Sequence, residues 1–359
     1  MENCALCQSF GTLPNGEAAT RILLTHESGI EVSIISFGAA VQSIRVPDKR
    51  GSMDNVVLGH DDLGSYVKQR NYFGATVGRY ANRISHARFP LAGQTVELSA
   101  NDGANALHGG HDGFDRRNWK LEAYGTQPTP FAIFTLVSPD GDQGYPGEMH
   151  VSVRYEVTSD RSLRMTFEAT CNRQTIVNLT HHGFFNLGGS ECPDILGHTL
   201  AIQADRYLPI TRALIPLGGP VTVADSPFDF RTSARIGERV KIADAQVTLA
   251  RGFDHNFCIE PAPQGVVRHA ARLADPTSGR VMDLYTDQPG LQFYSGGYLG
   301  DTIPAIGGIV PPRYGALCLE PQAWPDSPNR QSYPSPILEA NALYRHETLL
   351  QFGIDQDAR

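Results

Sequence analysis

The stretch MHVSVRYEVTSDRSLRMTFEAT, residues 149–170, decides the fold class of this chain. Apolar and polar residues alternate from Met149 to Val157, and they alternate again from residue 163 onward. A period of two places successive side chains on opposite faces of a β-strand. The polar segment 158–162 between the two runs is typical of a turn. The pattern therefore predicts an antiparallel hairpin with one buried face and one solvent-facing face.

Short strands of the same kind are predicted along the rest of the chain. They fall at 20–25, 31–37, 39–46, 131–137, 198–204, 280–286, 291–295, 315–320 and 347–353. Helical spacing is weak and is confined to short stretches near 61–68 and 232–242. Strands without long intervening helices exclude Rossmann and TIM-barrel architectures. The sequence therefore predicts an all-β chain, a large antiparallel β-sandwich with few short helices.

No internal repeat, low-complexity tract or proline-rich linker divides the 359 residues, so a single domain over 1–359 is expected. A chain of this length can bury a substantial core without disulfides or a structural metal. Residues 1–15 are expected to form a loosely ordered terminus. Within them, Cys4 and Cys7 lack a second CxxC, a histidine at zinc-finger spacing and a βαβ context. We therefore interpret the pair as part of that terminus and not as a metal or redox motif.

The charge of the chain limits the classes of partner. The formal net charge is −8 and the pI is about 5.8. Nucleic acids and anionic lipids require a basic surface, so both are disfavoured as partners, whereas neutral ligands are compatible. The first ten residues lack the basic and apolar regions of a secretory signal, and no apolar run reaches membrane-spanning length. A cytoplasmic protein without membrane association is therefore expected.

Five segments mix glycine or proline with carboxylates, imidazoles, amides or guanidinium groups. They are 78–84 (GRYANRI), 107–110 (LHGG), 178–187 (NLTHHGFFNL), 252–257 (GFDHNF) and 318–326 (CLEPQAWPD). Such mixtures at loops and strand ends are how binding groups are mounted on a rigid β scaffold. The segments therefore mark candidate functional regions.

Taken together, and with 140–148 and 207–209, these segments resemble the aldose 1-epimerase family over about 38–352. The resemblance implies a large β-sandwich and an isomerase of carbohydrate metabolism, a mutarotase. Its substrates would be free aldoses such as glucose and galactose. It also implies that no metal or organic cofactor is used. A monomer or weak homodimer is expected.

The resemblance also implies a set of site residues. Glu320 matches the general base of the family, and His182 matches its general acid. The residues that match its sugar-binding groups are Asn82, Arg83, His108, Asp254 and Gln292.

These residue types suit the chemistry of an anomer exchange. An aldose ring is a hemiacetal, and opening it requires removal of the proton on O1 and addition of a proton to ring oxygen O5. A carboxylate can take the first proton and a protonated imidazole can supply the second. No electron moves and no group leaves, and the chain carries neither a dinucleotide-binding GxGxxG unit nor a P-loop.

Alternation makes local predictions for the acid and the base. It places Glu320 on the same strand face as Cys318, and Pro321 is expected to end that strand and to leave Glu320 at a rim. His181 and His182 point to opposite faces of an extended segment, so only one of them is expected in the pocket. The family usually has an amide at the first of these positions, so His181 is a departure and His182 is the expected acid.

Four other interpretations remain open at this point. A sugar-binding protein of the same fold would not need both Glu320 and His182. A glycosidase would need two carboxylates, which Asp254 and Glu320 could supply. A hexose-phosphate 1-epimerase would need a basic cluster at the pocket mouth. A zinc site could be suggested by two histidine pairs, His108 with His111 and His181 with His182. Zinc needs three or four converging ligands, and the spacing matches no zinc signature.

Overall fold

The structure of the protein is a computed structural model that describes residues 2–260, 263, 265–300 and 304–355. In chain order its strands are β1 Cys4–Thr12, β2 Ala18–His26, β3 Ile30–Ile35, β4 Ala40–Pro47, β5 Met53–Asn55, β6 Ala75–Val77, β7 Arg83–Ile84, β8 Arg88–Leu91, β9 Gln94–Glu97, β10 Ala106–Leu107, β11 Lys120–Gly125, β12 Phe131–Ser138, β13 Met149–Val157, β14 Ser162–Cys171, β15 Thr175–Ile176, β16 Thr180–His182, β17 Phe184–Phe185, β18 Thr199–Ile202, β19 Arg206–Tyr207, β20 Val221–Thr222, β21 Ala234–Arg235, β22 Asp254–Cys258, β23 Arg268–Ala274, β24 Arg280–Thr286, β25 Gly290–Tyr294, β26 Leu317–Gln322, β27 Ile337–Leu338 and β28 Leu343–Ile354. The α-helices are α1 Leu63–Lys68, α2 Ile236–Val240 and α3 Ala245–Leu249. Short 3-10 helices lie at Ser85–Ala87, Phe114–Arg116, Asp142–Gly144, Ile306–Gly308 and Ser327–Asn329.

The predicted hairpin is present as β13 and β14. The two strands pair antiparallel, with Met149 opposite Cys171 and Val157 opposite Leu163. The apolar residues of β13 are all buried, whereas His150 on the other face is exposed. The hairpin therefore has one core face and one outer face, as its alternation predicts.

The hairpin lies within a nine-stranded antiparallel sheet. Its strand order is β11-β12-β13-β14-β28-β24-β23-β18-β21. A five-stranded sheet, β1 to β5, and a six-stranded sheet, β17-β26-β25-β22-β19-β20, contribute to the same main core. Phe167, Ile34 and Phe293, one from each of these sheets, are fully buried in it. The architecture confirms the predicted large β-sandwich.

The six-stranded sheet has one apolar face and one polar face. Leu319, Phe293 and Phe257 lie on three neighbouring strands and turn into the main core. Because successive side chains alternate, the residues between them turn to the opposite face, where carboxylate and amide groups collect. This arrangement positions the candidate site.

The predicted strands are all present, and the predicted helical stretches contain α1 and α2. An additional helix, α3, was not predicted. Its start carries a readable signal, because the Asp244 side chain accepts hydrogen bonds from the backbone N–H groups of Gln246 and Val247. Asp62 caps α1 in the same way. Among the described residues, no helix has the length and apolar character needed to cross a membrane.

The expectation of a loosely ordered terminus at residues 1–15 was wrong. Residues 4–12 form β1, which pairs along the whole of β2 from Cys4 opposite Thr25 to Thr12 opposite Ala18. The backbone of β2 is fixed by its buried apolar face, so its free edge orders the terminal segment. Cys4 and Cys7 lie three residues apart on this strand, so their side chains point to opposite faces and cannot share one site.

Candidate active site

The base of the site is a row of polar side chains across three neighbouring strands. Glu320 on β26 lies directly opposite Gln292 on β25, which lies opposite Asn256 on β22. Asp254, two residues before Asn256, faces the same side. The amide Nε2 of Gln292 donates to Asp254 Oδ1 over 2.7 Å. The sheet register thus brings three of the predicted site residues together.

Glu320 is buried, with 2% of its surface exposed, so its expected position at a rim was wrong. The strand continues through Pro321 to Gln322. The Pro321 carbonyl turns toward β16, where it accepts the Thr180 hydroxyl over 2.7 Å. The N–H and C=O of one strand residue point to the same side of the strand. An N–H at position 321 would therefore also point toward β16, so its absence in proline removes no hydrogen bond to β25.

His182 on β16 faces Glu320. Its Nε2 lies 3.7 Å from Glu320 Oε1, and its Nδ1 lies 3.6 Å from the sulfur of Cys318. Cys318 is on the strand face of Glu320, as predicted. His181 points the other way, toward Phe185. The structure therefore places His182, and not His181, beside the candidate base.

A second side of the pocket is formed by the loops that carry Asn82, Arg83 and His108. The backbone N–H of Asn82 donates to His108 Nδ1, and the backbone N–H of His108 donates to the Asn82 carbonyl, both over 3.1 Å. Gly109 allows this approach, because a side-chain carbon there would overlap the Gly78 carbonyl oxygen. Arg83 Nε is held by Asp102 at 2.8 Å.

Tyr72 completes this side of the pocket, and the sequence analysis missed it. Its ring stacks on His182, with centroids 5.4 Å apart, and meets His108 at 4.7 Å. Tyr72, Asn82 and His108 all have positive φ angles, of 60°, 65° and 49°. Non-glycine residues rarely adopt this conformation, and such residues cluster at functional sites. Nothing in the segment 71–74 (NYFG) signals this role.

Burial opposes a charge on both Glu320 and His182. Burial raises the pKa of the Glu320 carboxyl well above its usual range, and the nearby Asp254 carboxylate raises it further, whereas Arg83 lowers it. Burial lowers the pKa of His182 to about 3. Both shifts favour the neutral forms, in which the one proton that the two groups share resides on Glu320.

Burial also favours the neutral forms of the neighbouring groups. It raises the pKa of Asp254, although Arg83 and the Gln292 amide oppose the rise. It lowers the pKa of His108 well below the usual range, with the adjacent His182 as a second cause. His108 is therefore a neutral imidazole.

Unpaired polar atoms on the sheet face indicate a polar ligand. Among the described residues, several buried atoms lack a hydrogen-bond partner, namely Glu320 Oε2, Gln292 Oε1, Asn256 Oδ1 and both amide atoms of Gln322. All four residues lie on the polar face of the six-stranded sheet. Leaving such atoms unpaired costs about 1–3 kcal/mol each. Asn256 and Gln322 were also missed, although alternation from Asp254 and Glu320 could have found them.

The tautomer of His108 limits the capacity of the pocket to bind a metal ion. Nitrogen and oxygen atoms of His108, His182 and Glu320 lie within 4.8 Å of one another, which resembles a three-ligand metal site. His108 Nδ1, however, accepts the Asn82 N–H, so the proton of the neutral ring is on Nε2. An N–H group faces the pocket there, which suits a hydroxyl oxygen and not a cation.

Several known proteins are similar to this chain over most of its length. The sequence matches the family described as aldose 1-epimerase over residues 20–351. Galactose mutarotase from Mus musculus is 38% identical over 345 residues, which cover 96% of this chain and 97% of that protein. Aldose 1-epimerase from Escherichia coli strain K12 is 38% identical over 341 residues, which cover 94% of this chain and 96% of that protein.

A solved structure has the same fold. Galactose 1-epimerase from Lactobacillus acidophilus NCFM superposes with a TM-score of 0.87 at 27% identity, covering 99% of this chain and 100% of that chain. An aldose epimerase homologue from C. elegans gives a TM-score of 0.86 at 27% identity, covering 94% and 99%. The whole described β-sandwich is therefore shared with these proteins.

Proposed function

The chain belongs to the aldose 1-epimerase family and interconverts the α and β anomers of free aldoses, and we propose that Glu320 and His182 carry the reaction. The observation that supports this assignment is the opposed pair itself. A carboxyl and an imidazole lie 3.7 Å apart in a buried pocket, and the groups around them are suited to bind hydroxyls.

In the proposed mechanism, the Glu320 carboxylate removes the proton from O1 of the sugar while the His182 imidazolium protonates ring oxygen O5. The C1–O5 bond breaks and C1 becomes an aldehyde. Rotation about C1–C2 presents the other face of the aldehyde to O5. On ring closure the two roles are reversed, so His182 takes back the proton from the O5 hydroxyl and Glu320 returns its proton to O1.

The proton balance of the pair suits this mechanism. The catalytic form, a carboxylate and an imidazolium, holds the same single proton as the neutral form that burial favours. Moving that proton from Glu320 to His182 therefore needs no exchange with solvent. Arg83 favours the carboxylate, because it lowers the pKa of Glu320.

We assign the sugar hydroxyls to the remaining groups of the pocket. His108 donates through Nε2, and the Asp254 carboxylate, oriented by Gln292, accepts hydroxyl protons. Asn82 contributes its amide Nδ2, since its Oδ1 accepts the Arg83 backbone N–H over 2.8 Å. Arg83 donates through the nitrogens that Asp102 leaves free.

The charges favour a neutral free sugar over a sugar phosphate. Arg83 is neutralised in part by Asp102, and Glu320 and Asp254 add carboxyl groups to the same pocket. The pocket therefore offers a dianionic phosphate little unpaired positive charge to bind it. Glucose and galactose are the proposed substrates. We also propose that the protein acts without metal or organic cofactor, in the cytoplasm, as a monomer or weak homodimer, with no nucleic-acid or membrane partner.

Polarimetry tests the proposal directly. The protein, dialysed exhaustively against a chelator, is added to freshly dissolved α-D-glucose and α-D-galactose, and the approach to anomeric equilibrium is timed. We expect full activity after dialysis. Activity that disappears and returns with zinc or manganese would contradict a metal-free site. Release of sugar from a nitrophenyl glycoside would instead indicate a glycosidase.

Glu320→Gln is the matched variant, because the amide keeps the size of the side chain and removes the proton-accepting carboxylate. Turnover should fall by ~10²–10⁴-fold, the usual contribution of a positioned base. Sugar binding, measured by calorimetry, should persist. Near-normal turnover would move the base elsewhere, with Asp254 the next candidate. Normal folding without binding would make Glu320 a binding residue only.

A further inference from the structure

The imidazole of His182 stacks against two aromatic rings. The Tyr72 ring is inclined to it by 18°, with the centroids 5.4 Å apart. The Phe184 ring is inclined to it by 24°, with the centroids 5.0 Å apart. The imidazole cannot rotate out of its plane without displacing a neighbour. The two stacked rings therefore fix the plane in which Nε2 of His182 meets Glu320.

Phe184 is held by its strand, but Tyr72 lies in a loop with a strained backbone. Phe184 pairs with Cys318 across β17 and β26. Tyr72 has a φ of 60°, a left-handed conformation that a bulky side chain avoids. Such a conformation persists only where the surrounding structure imposes it. Contacts with other residues must therefore hold Tyr72 in place, because its own backbone preference does not favour this conformation.

Arg70 provides that support. Its Nε and Nη2 each bind an oxygen of the buried Asp115 carboxylate over 2.7 Å, in a bidentate pair. Its Nη1 donates to the carbonyls of Gly110 and His111 over 2.7 and 3.0 Å. Its guanidinium carbon lies over the face of the Tyr72 ring, 4.9 Å from the ring centroid, in a cation–π contact.

Arg70 thereby joins two loops that both touch His182. One loop carries Tyr72, and the other, 108–117, carries His108, whose ring centroid is 5.2 Å from that of His182. The titratable groups that face His182 are Tyr72, His108, Cys318 and Glu320. No contact links Arg70 to Glu320, Asp254 or Gln292 among the described residues.

We propose that Arg70 and Tyr72 form a clamp that positions His182 for proton transfer, Arg70 acting only through Tyr72 and the loop of His108. This inference rests on the proposed role of His182 as the acid. Both residues are positioning residues in this assignment. Displacing a reacting group by about 1 Å can cost 10²-fold in rate, so the clamp contributes to turnover and not to folding alone.

Substitutions of Tyr72 separate the ring from the hydroxyl. Tyr72→Phe keeps the stacked ring and should retain wild-type kcat. Tyr72→Leu removes it and should lower kcat by about 10- to 100-fold, with a smaller change in KM, since the hydroxyl-binding residues remain. Equal losses in both variants would overturn the clamp and would assign the effect to the hydroxyl.

Arg70→Lys tests the second member, because lysine keeps the charge but cannot form the bidentate pair. We expect a loss of kcat similar to that of Tyr72→Leu. Arg116→Lys is the matched control, since Arg116 donates to the Val67 carbonyl in the same region and does not contact Tyr72. Wild-type kcat in Arg70→Lys, or an equal loss in Arg116→Lys, would contradict the proposal.

A double-mutant cycle distinguishes failure of the clamp from failure of the proposed acid. If the clamp acts through His182, Tyr72→Leu should cause no further loss in a His182→Asn background. An undiminished loss in that background would overturn the clamp. Near-normal turnover of His182→Asn alone would instead overturn the assignment of the acid.

An NMR measurement that does not depend on turnover tests the clamp even if His182 is not the acid. The ring ¹⁵N and ¹H signals of His182, assigned by comparison with the His182→Asn variant, should shift in Tyr72→Leu and stay in place in Tyr72→Phe. Unchanged signals in folded Tyr72→Leu would show that the ring does not need the clamp.

Discussion

At the proposed acid–base pair, burial opposes both of the charges that the proposed mechanism needs. Glu320 has a raised pKa and His182 a lowered one, so the charged form of the pair has a higher free energy than its neutral form. The two forms hold the same number of protons. The pH dependence of the enzyme should therefore report the pair and not either residue alone.

This arrangement predicts a broad bell-shaped profile of kcat/KM against pH. The active pair holds one proton. A second proton enters at His182, whose pKa is about 3, so the acid limb should lie well below neutral pH. The shared proton leaves only when pH rises through the raised pKa of Glu320, so the alkaline limb should lie well above the usual carboxyl range.

Initial polarimetric rates, corrected for the spontaneous reaction, would measure both limbs where circular dichroism shows a folded protein. The Glu320→Gln variant is the control, because its amide does not titrate and its residual rate should lack the alkaline limb. A single limb near the ordinary glutamate pKa of 4.5, with falling activity below it, would contradict the one-proton pair.

The adjacent histidines give the second prediction at this scale. His182→Asn should lower turnover by ~10²-fold or more, the loss expected for a general acid. His181→Asn should be mild, because the His181 ring points away from the pocket, toward Phe185. Measuring both variants in one assay gives each a control, and the reverse ranking would assign the acid to His181.

Alternation predicts some site residues and fails for others. It placed Glu320 and Cys318 on one face and separated His181 from His182, because these pairs lie on regular strands. Tyr72 could not be predicted in this way. Its role depends on a left-handed backbone and on a salt bridge between residues 45 positions apart, Arg70 and Asp115. Neither feature leaves a periodic trace in the sequence.

At the level of elements, long strands were predictable and their ends were not. The hairpin of β13 and β14 followed from its period of two. Pro321 was expected to end β26, but its missing N–H lies on the side that β25 does not use, so the strand continues. Strand β1 was missed because an edge strand takes its order from its neighbour.

The loop that carries His108 gives a prediction of stability. Gly109 has a φ of +83°, and an added Cβ would overlap the Gly78 carbonyl. Gly109→Ala should therefore both strain the backbone and push the two loops apart. Gly93→Ala is the matched control, since Gly93 has a φ of +77° and open space where the Cβ would lie.

Gly109→Ala should destabilise the protein by about 1–3 kcal/mol more than Gly93→Ala, the usual cost of overpacking. Denaturant unfolding measures this difference. Displacement of His108 should also raise KM for sugar in Gly109→Ala alone. Equal stabilities and equal KM values in the two variants would show that the close approach of the loops is not required.

At the scale of the whole molecule, side chains from all three large sheets meet in one main core. The site draws on the six-stranded sheet for Glu320, Gln292 and Asp254, and on short strands and loops for His182, Asn82 and His108. We propose on this ground that the chain is a single domain. No proline-rich linker interrupts the chain, and its motifs resemble one family over most of its length.

Unfolding in the presence of sugar tests that proposal. If the chain is one domain, denaturant should unfold it in one transition, and galactose should stabilise the whole of it, because the ligand binds only the folded state. At a free concentration of 100 times Kd, the free energy of unfolding should rise by about 2.7 kcal/mol.

The shift should be equal by circular dichroism, which reports the sheets, and by fluorescence of Trp119 and Trp324. Trp119 is buried in the main core and Trp324 follows β26, so the two probes report different regions. Single Trp→Phe variants separate the two signals. Mannitol, a sugar alcohol that cannot form a ring, serves as the control for solvent effects and should shift the midpoint less at equal concentration. Two transitions, of which galactose moves only one, would divide the chain into independent units and overturn the single domain.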